Sequence, residues 1–277
     1  MLALAAALGL VMGVVIGGLG GGGGVLTVPA LVYVLGQNAQ DATTSSLIIV
    51  GITAAVGAAA RIKGRGVDWR NGIALGVIGI PAAYLGTLLN HHVSQPVLLL
   101  AFAALTIVAA AAMLLNARRE PDPDTDTEDT TSVSPSSPGA TATALRKRPA
   151  RSALLLTAGE VVACGAAVGF LTGFLGVGGG FLVVPALVIV LRMPMALAVG
   201  TSLLVIVLNS ISSMVSRFGV THLDWHVIAP FTIAAVLGTL LGKRVADRLS
   251  GATLTKSFAG MLVAVGIFVG IQSLIAL

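Results

Sequence analysis

Apolar runs separated by short polar punctuation dominate the chain. They cover Leu2–Gly36, Ala42–Ala60, Gly72–Leu89, Pro96–Leu115, Ala153–Leu175, Met195–Ser216, Val227–Gly242 and Ser257–Leu277. A bilayer core takes about 20 residues of helix, so most of these runs predict membrane-spanning helices. The first run is too long for one straight crossing and is interrupted by Gly20–Gly24; a later one is interrupted at Gly176–Gly180. Each glycine cluster is followed five residues on by a proline, Pro29 or Pro185. Glycine releases the backbone and proline ends a hydrogen-bond ladder, so both places predict a broken helix that doubles back as a hairpin.

The two interruptions are copies of one unit. Leu19 to Val32 overlays Leu175 to Val188 at a separation of 156 positions, and the register continues without a gap to Asp68-Trp69 and Asp224-Trp225. Of the 53 pairs from Gly17 to Trp69, 20 are identical, which is far more than a biased composition produces and makes the chain a duplication. The predicted architecture is all-α integral membrane, two inverted repeats, each a glycine-broken helical hairpin plus three transmembrane helices. Residues 1–115 form the N-terminal membrane repeat, 116–151 a linker and 152–277 the C-terminal membrane repeat. The linker contains Pro121-Asp-Pro-Asp-Thr-Asp-Thr-Glu-Asp129, too polar and proline-rich to pack a core. It is expected to be a dispensable flexible spacer.

Composition agrees with that picture. The chain is 56% hydrophobic and 10% charged with a mean hydropathy of +0.99, which no soluble fold could bury. The first run lacks a basic leading segment and a cleavage site, and is expected to belong to the mature protein. Net charge is +5, but the cations flank apolar runs, so they serve orientation and lipid headgroups and not nucleic acid. With hairpins, 15 of the 16 Lys and Arg residues fall on one face, leaving Arg217 opposite. The positive-inside rule then places the linker in the cytoplasm and both termini in the periplasm of an inner-membrane protein. Cys164, the single cysteine, can form no intrachain disulfide. The sequence leaves homo-oligomerisation open.

Inverted repeats with interrupted helices characterise secondary transporters that bind substrate near the bilayer midplane. A helix restarting after each break aims its free N–H groups, with about half a positive charge, back at the break. Two such ends facing one centre suit a small anion. The expected substrate ligands are Gly21, Gly22, Gly23 and Gly24 with Thr44, Ser45 and Ser46 in the first repeat. Gly178, Gly179 and Gly180 with Thr201 and Ser202 are their counterparts in the second. Close helix packing is the alternative role for the glycines, and capping for the hydroxyls. Arg61 and Arg217, equivalent in the repeat, are candidates for gating or anion recruitment, with snorkelling as the alternative. Glu160, an acid inside an apolar run, is a candidate for proton coupling. Asp68 and Asp224 are expected to cap helices, with Trp69 and Trp225 at the interface. The four histidines lack metal-ligand spacing, no paired carboxylates or nucleophile with base stand in the apolar runs, and no phosphate loop is present. No cofactor, metal or catalysis is expected.

The repeated glycine cluster with Val-Pro-Ala-Leu downstream, the motif Ala198-Val-Gly-Thr-Ser-Leu203 and the Asp-Trp loop resemble the TauE/SafE family of sulfite exporters, over nearly the whole chain apart from the linker. That resemblance implies gradient-driven export of small sulfur-containing anions such as sulfite, sulfoacetate or related sulfonates. A channel or carrier for other small organic anions is the alternative. The first copy departs from the pattern in having Ser45-Ser46 where the second has Thr201-Ser202, and an extra glycine at Gly21.

Overall fold

The computed structural model describes residues 2–36, 39–62, 64, 66–90, 95–117, 151–175, 180–216 and 225–275. Helices joined by short turns make up the described residues. The first half contains α1 (Leu2–Leu19), α2 (Gly22–Pro29), α3 (Ala39–Ile62), α4 (Trp69–Asn90) and α5 (Gln95–Ala117). The second contains α6 (Arg151–Leu175), α7 (Gly180–Ile189), α8 (Met195–Ser216), α9 (Trp225–Ala246) and α10 (Gly251–Ile275). The linker lies outside the described residues.

The hairpin expected from the glycines is present in the first half. After the break, α2 runs on through a π-helical turn, Ala30–Val34, into the Leu31 and Val32 region that packs against Ala5 and Leu8 near the start of α1. Chain direction has therefore reversed. Ala5, Leu31, Ala42 and Ile49 gather there with Phe231. Each position lies 156 residues from a member of the larger cluster, where Val161, Leu187, Ala198 and Val205 gather with Leu75. The duplication thus extends to the cores.

Helices pair across the halves. Along α1, Gly9, Gly13 and Gly17 lie against the backbone of Phe231, Ala235 and Thr239 on α9. Along α6, Gly165 and Gly169 lie against the backbone of Leu75 and Gly79 on α4, and Gly173 against that of Ala83. The two seams are one interface used twice, residue for residue at the same separation, and in each the helices run parallel. Spacing of four puts the three glycines on one face of a helix, where bare backbone allows the axes to come close. By contrast α3 and α8 run antiparallel, Gly51 meeting Ser210 and Gly57 meeting Leu203. So do α5 and α10, where Gly266 meets Thr106 and Gly270 meets Ala103.

Among the described residues, four stretches are long and apolar enough to cross a bilayer by themselves: Thr44–Ile62, Met195–Met214, Trp225–Ala246 and Gly251–Ile271. Large apolar side chains such as Val11, Val77, Tyr84, Ile233 and Phe268 point outward, as a lipid-facing surface requires. Asp68 caps α4: its carboxylate accepts from the Asn71 backbone N–H at 3.1 Å and from the Asn71 side-chain amide at 2.7 Å. Trp69 and Trp225 open α4 and α9 and are both exposed. Asp224 lies outside the described residues.

Candidate functional site

Only two of the five consecutive glycines form the first break. Gly20 takes a left-handed conformation, φ +79°, and its N–H closes on the Ile16 carbonyl at 2.8 Å, ending α1 in the way a glycine just past a helix terminus commonly does. Gly21 is already near helical geometry, and Gly22, Gly23 and Gly24 form the first turn of α2. The helix therefore restarts earlier than a break extending to Gly24 implies. Glycine permits a bend without dictating where it falls. In the second half α7 begins at Gly180, as expected, while Gly178 and Gly179 lie outside the described residues.

Gly21, in the first break, touches Gly180, the first residue of α7. A side chain on Gly21 would collide with the carbonyl of Gly180, and one on Gly180 would come within 3.3 Å of the Gly21 Cα and 2.7 Å of the Ile206 side chain. Gly20 packs on α8: a Cβ there would lie 2.8 Å from Ser202 Oγ and 3.2 Å from the Val199 carbonyl. Gly20, Gly21, Gly180 and Ser202 are thus assembled into one contact zone made largely of backbone.

The hydroxyl residues are all buried, in the second turns of α3 and α8 rather than at their caps. Ser202 donates to the Val199 carbonyl at 2.8 Å. Thr201 donates to the Leu197 carbonyl at 2.8 Å and accepts from the Asp68 N–H at 3.0 Å, tying the start of α8 to the cap of α4. Ser45 Oγ has no hydrogen-bond partner among the described residues. Because α3 and α8 are antiparallel, with Gly51 facing Ser210 and Gly57 facing Leu203, and helices rise about 1.5 Å per residue, Thr44–Ser46 and Thr201–Ser202 stand about 20 Å apart along the helix axes. Ser202 thus belongs to the glycine contact, while Thr44–Ser46 lie farther along α3.

Arg61 ends α3 and is only 7% exposed, so it does not snorkel. Its guanidinium donates to the carbonyl of Gly17, in the last turn of α1, and to that of Gly57 at 3.4 Å. A cation there complements the free carbonyls and negative end of α1 just before the break. Sequence reasoning did not foresee this contact, which joins positions 44 residues apart. Arg61 also lines a cleft of about 430 Å³ with Gly66, Val199, Lys243, Asp247 and neighbours. Glu160 is exposed on α6 and lines neither this cleft nor the apolar cavity of about 200 Å³ beside Val14 and Gly242. Arg217 lies outside the described residues.

The sequence pattern of a family described as Sulfite exporter TauE/SafE matches residues 5–269. A protein of Xylella fastidiosa (strain Temecula1) named "Probable membrane transporter protein" is 29% identical over 264 residues, covering 94% of this chain and 92% of the relative. In Bacillus subtilis (strain 168), "Probable membrane transporter protein YunE" is 26% identical over 272 residues, 96% of this chain and 94% of that protein. No solved structure matches the chain.

Proposed function

The chain belongs to the TauE/SafE family and is a membrane transporter, and from this premise we infer a secondary carrier that exports small sulfur-containing anions across the inner membrane. Sulfite, sulfoacetate and related sulfonates are the substrate class, and alternating access is the mode of transport. The observation that carries the reading is the contact between Gly21 and Gly180, which brings the restarting ends of α2 and α7 together at one place. Backbone N–H groups in the first turn of a helix lack intrahelical partners and carry its positive end, so two such ends side by side favour an anion between them. Ser202 beside Gly20, with Thr201, can donate to the ion by turning its O–H away from the Val199 or Leu197 carbonyl, and Thr44, Ser45 and Ser46 supply further hydroxyls farther along α3.

In this reading the halves are inverted. Two equivalent helices that pack antiparallel, as α3 and α8 do, are related by an axis across the helices and not along them. That supports the linker and the two termini lying on opposite faces, and the distribution of Lys and Arg favours the linker face as cytoplasmic. Alternating access then exchanges the environments of the two breaks around a central ion.

The test is transport and binding by the purified full-length protein. In proteoliposomes, sulfite or sulfoacetate flux should saturate, run uphill with an imposed gradient and collapse with an uncoupler. Linear passive flux would make the protein a channel. Gly21→Ala and Gly180→Ala should weaken anion binding to the folded fraction about tenfold, or 1.4 kcal/mol. Wild-type affinity in both would refute the site.

A further inference from the structure

The cleft beside Arg61 is chemically unlike the glycine contact: it is walled by side-chain charge. Arg61 carries five N–H donors. Two of them are used, on the Gly17 and Gly57 carbonyls, and among the described residues no carboxylate lies within ion-pair distance of it. The nearest wall carboxylate, Asp247, is engaged by Lys243 at 2.5 Å. Arg61 therefore hydrogen-bonds carbonyls only and feels Asp247 from beyond ion-pair distance, which leaves its buried charge incompletely paired, and its planar fork suits an oxyanion. Lys243 and Asp247 are partly exposed, and an exposed pair of this kind is weak enough to be exchanged for another anion.

The cleft also leads somewhere. Val199 lines it, and the Val199 backbone packs directly on Gly20 at the first break. We propose that this cleft is a docking site for the transported anion ahead of the glycine contact, with Arg61 and Lys243 as its ligands and Asp247 as a built-in competitor. The inference rests on the anion-carrier reading and adds to it a second station, on the face where α3 and α9 end. An arriving anion takes Lys243 from Asp247 and adds bonds to the free N–H groups of Arg61. Arg61 also holds the Gly17 carbonyl, so occupancy of the cleft reaches the end of α1 where the helix breaks.

Opposite charge edits should have opposite effects. With sulfite as probe and the full-length protein in proteoliposomes, Asp247→Asn should lower KM about threefold and Lys243→Gln should raise it about threefold, with kcat little changed. Arg61→Lys, which keeps the charge and loses the fork, should raise KM about tenfold. Both effects of the exposed pair should shrink in high salt. Arg61 variants can also lose stability through the Gly17 contact, so the decision falls to the exposed pair. Unchanged KM in both Asp247→Asn and Lys243→Gln, with wild-type transport intact, overturns the docking site and leaves the carrier reading standing. Absence of anion transport by the wild-type protein overturns both.

Discussion

At one seam Gly13 on α1 faces Ala235 on α9; at the twin seam Gly169 on α6 faces Gly79 on α4. At these positions the α1 and α6 side is glycine in both copies and the α9 and α4 side is not, and the difference has a steric cause. A Cβ on Gly13 would strike the Ala235 backbone, its closest approach being to the carbonyl, and a Cβ on Gly169 would strike the Gly79 backbone in the same way. A Cβ on Gly79 would meet only Gly165 and Gly169 backbone at 3.6 and 3.7 Å, ordinary contact distances. The position opposite can therefore grow, as it has at Ala235, while Gly13 and Gly169 cannot; farther along the receiving helices Gly86 and Gly242 are again glycine in both copies, and a Cβ on either would lie 2.2 Å from a backbone carbonyl. A second equivalent pair makes a similar point about backbone shape. Gly36 and Arg192 both adopt left-handed φ, +68° and +51°, where the chain leaves the hairpin, yet only one of them is glycine.

The largest break in this comparison comes from the approaching face. Gly169→Val should force the α4–α6 seam apart and cost about 3 kcal/mol, read as a large fall in melting temperature and in membrane abundance. A melting temperature equal to wild type would mean that the seam is not close-packed. Exchanging the left-handed residues comes next. Gly36→Arg should destabilise and Arg192→Gly should stabilise, each by about 1 kcal/mol, because a side chain in this conformation crowds its own carbonyl. Effects of the same sign in both would remove strain as the explanation. The smallest effect belongs to the receiving face: Gly79→Ala should be neutral or stabilise by up to about 1 kcal/mol, since mid-helix alanine restricts the unfolded chain more than glycine does. A loss resembling that of Gly169→Val would erase the distinction between the faces.

Much of this was legible in the residues. The first glycine cluster announced the hairpin of the first half, and Asp68 the cap of α4, whereas Pro185 does not end its helix: α7 runs through it from Gly180 to Ile189. Those are local signals, in which a residue type acts on its own backbone. The twin seams were less visible because identity between the copies fades before Gly17, although the spacing of Gly9, Gly13 and Gly17 carries the pattern of a small-residue face. What spacing cannot name is the partner. The attachment of Arg61 to Gly17, and of Thr201 to Asp68 across 133 residues, depends on how helices assemble and not on their periodicity. Gly20 alone takes the left-handed turn in a run of five glycines, a choice set by the packing of Val199 and Ser202 around it.

The crossed seams bear on ancestry. Each half carries one glycine face and the surface that receives the other half's glycine face, so neither closes both of its own seams. A half-length chain by itself would leave two strips of backbone uncovered, whereas a pair of identical half-length chains would cover all four. The seams are those that a homodimer of half-length chains, clasped reciprocally and then joined end to end, would have. Once joined, the copies were free to diverge, and positions such as Gly36 and Arg192 record where they have done so.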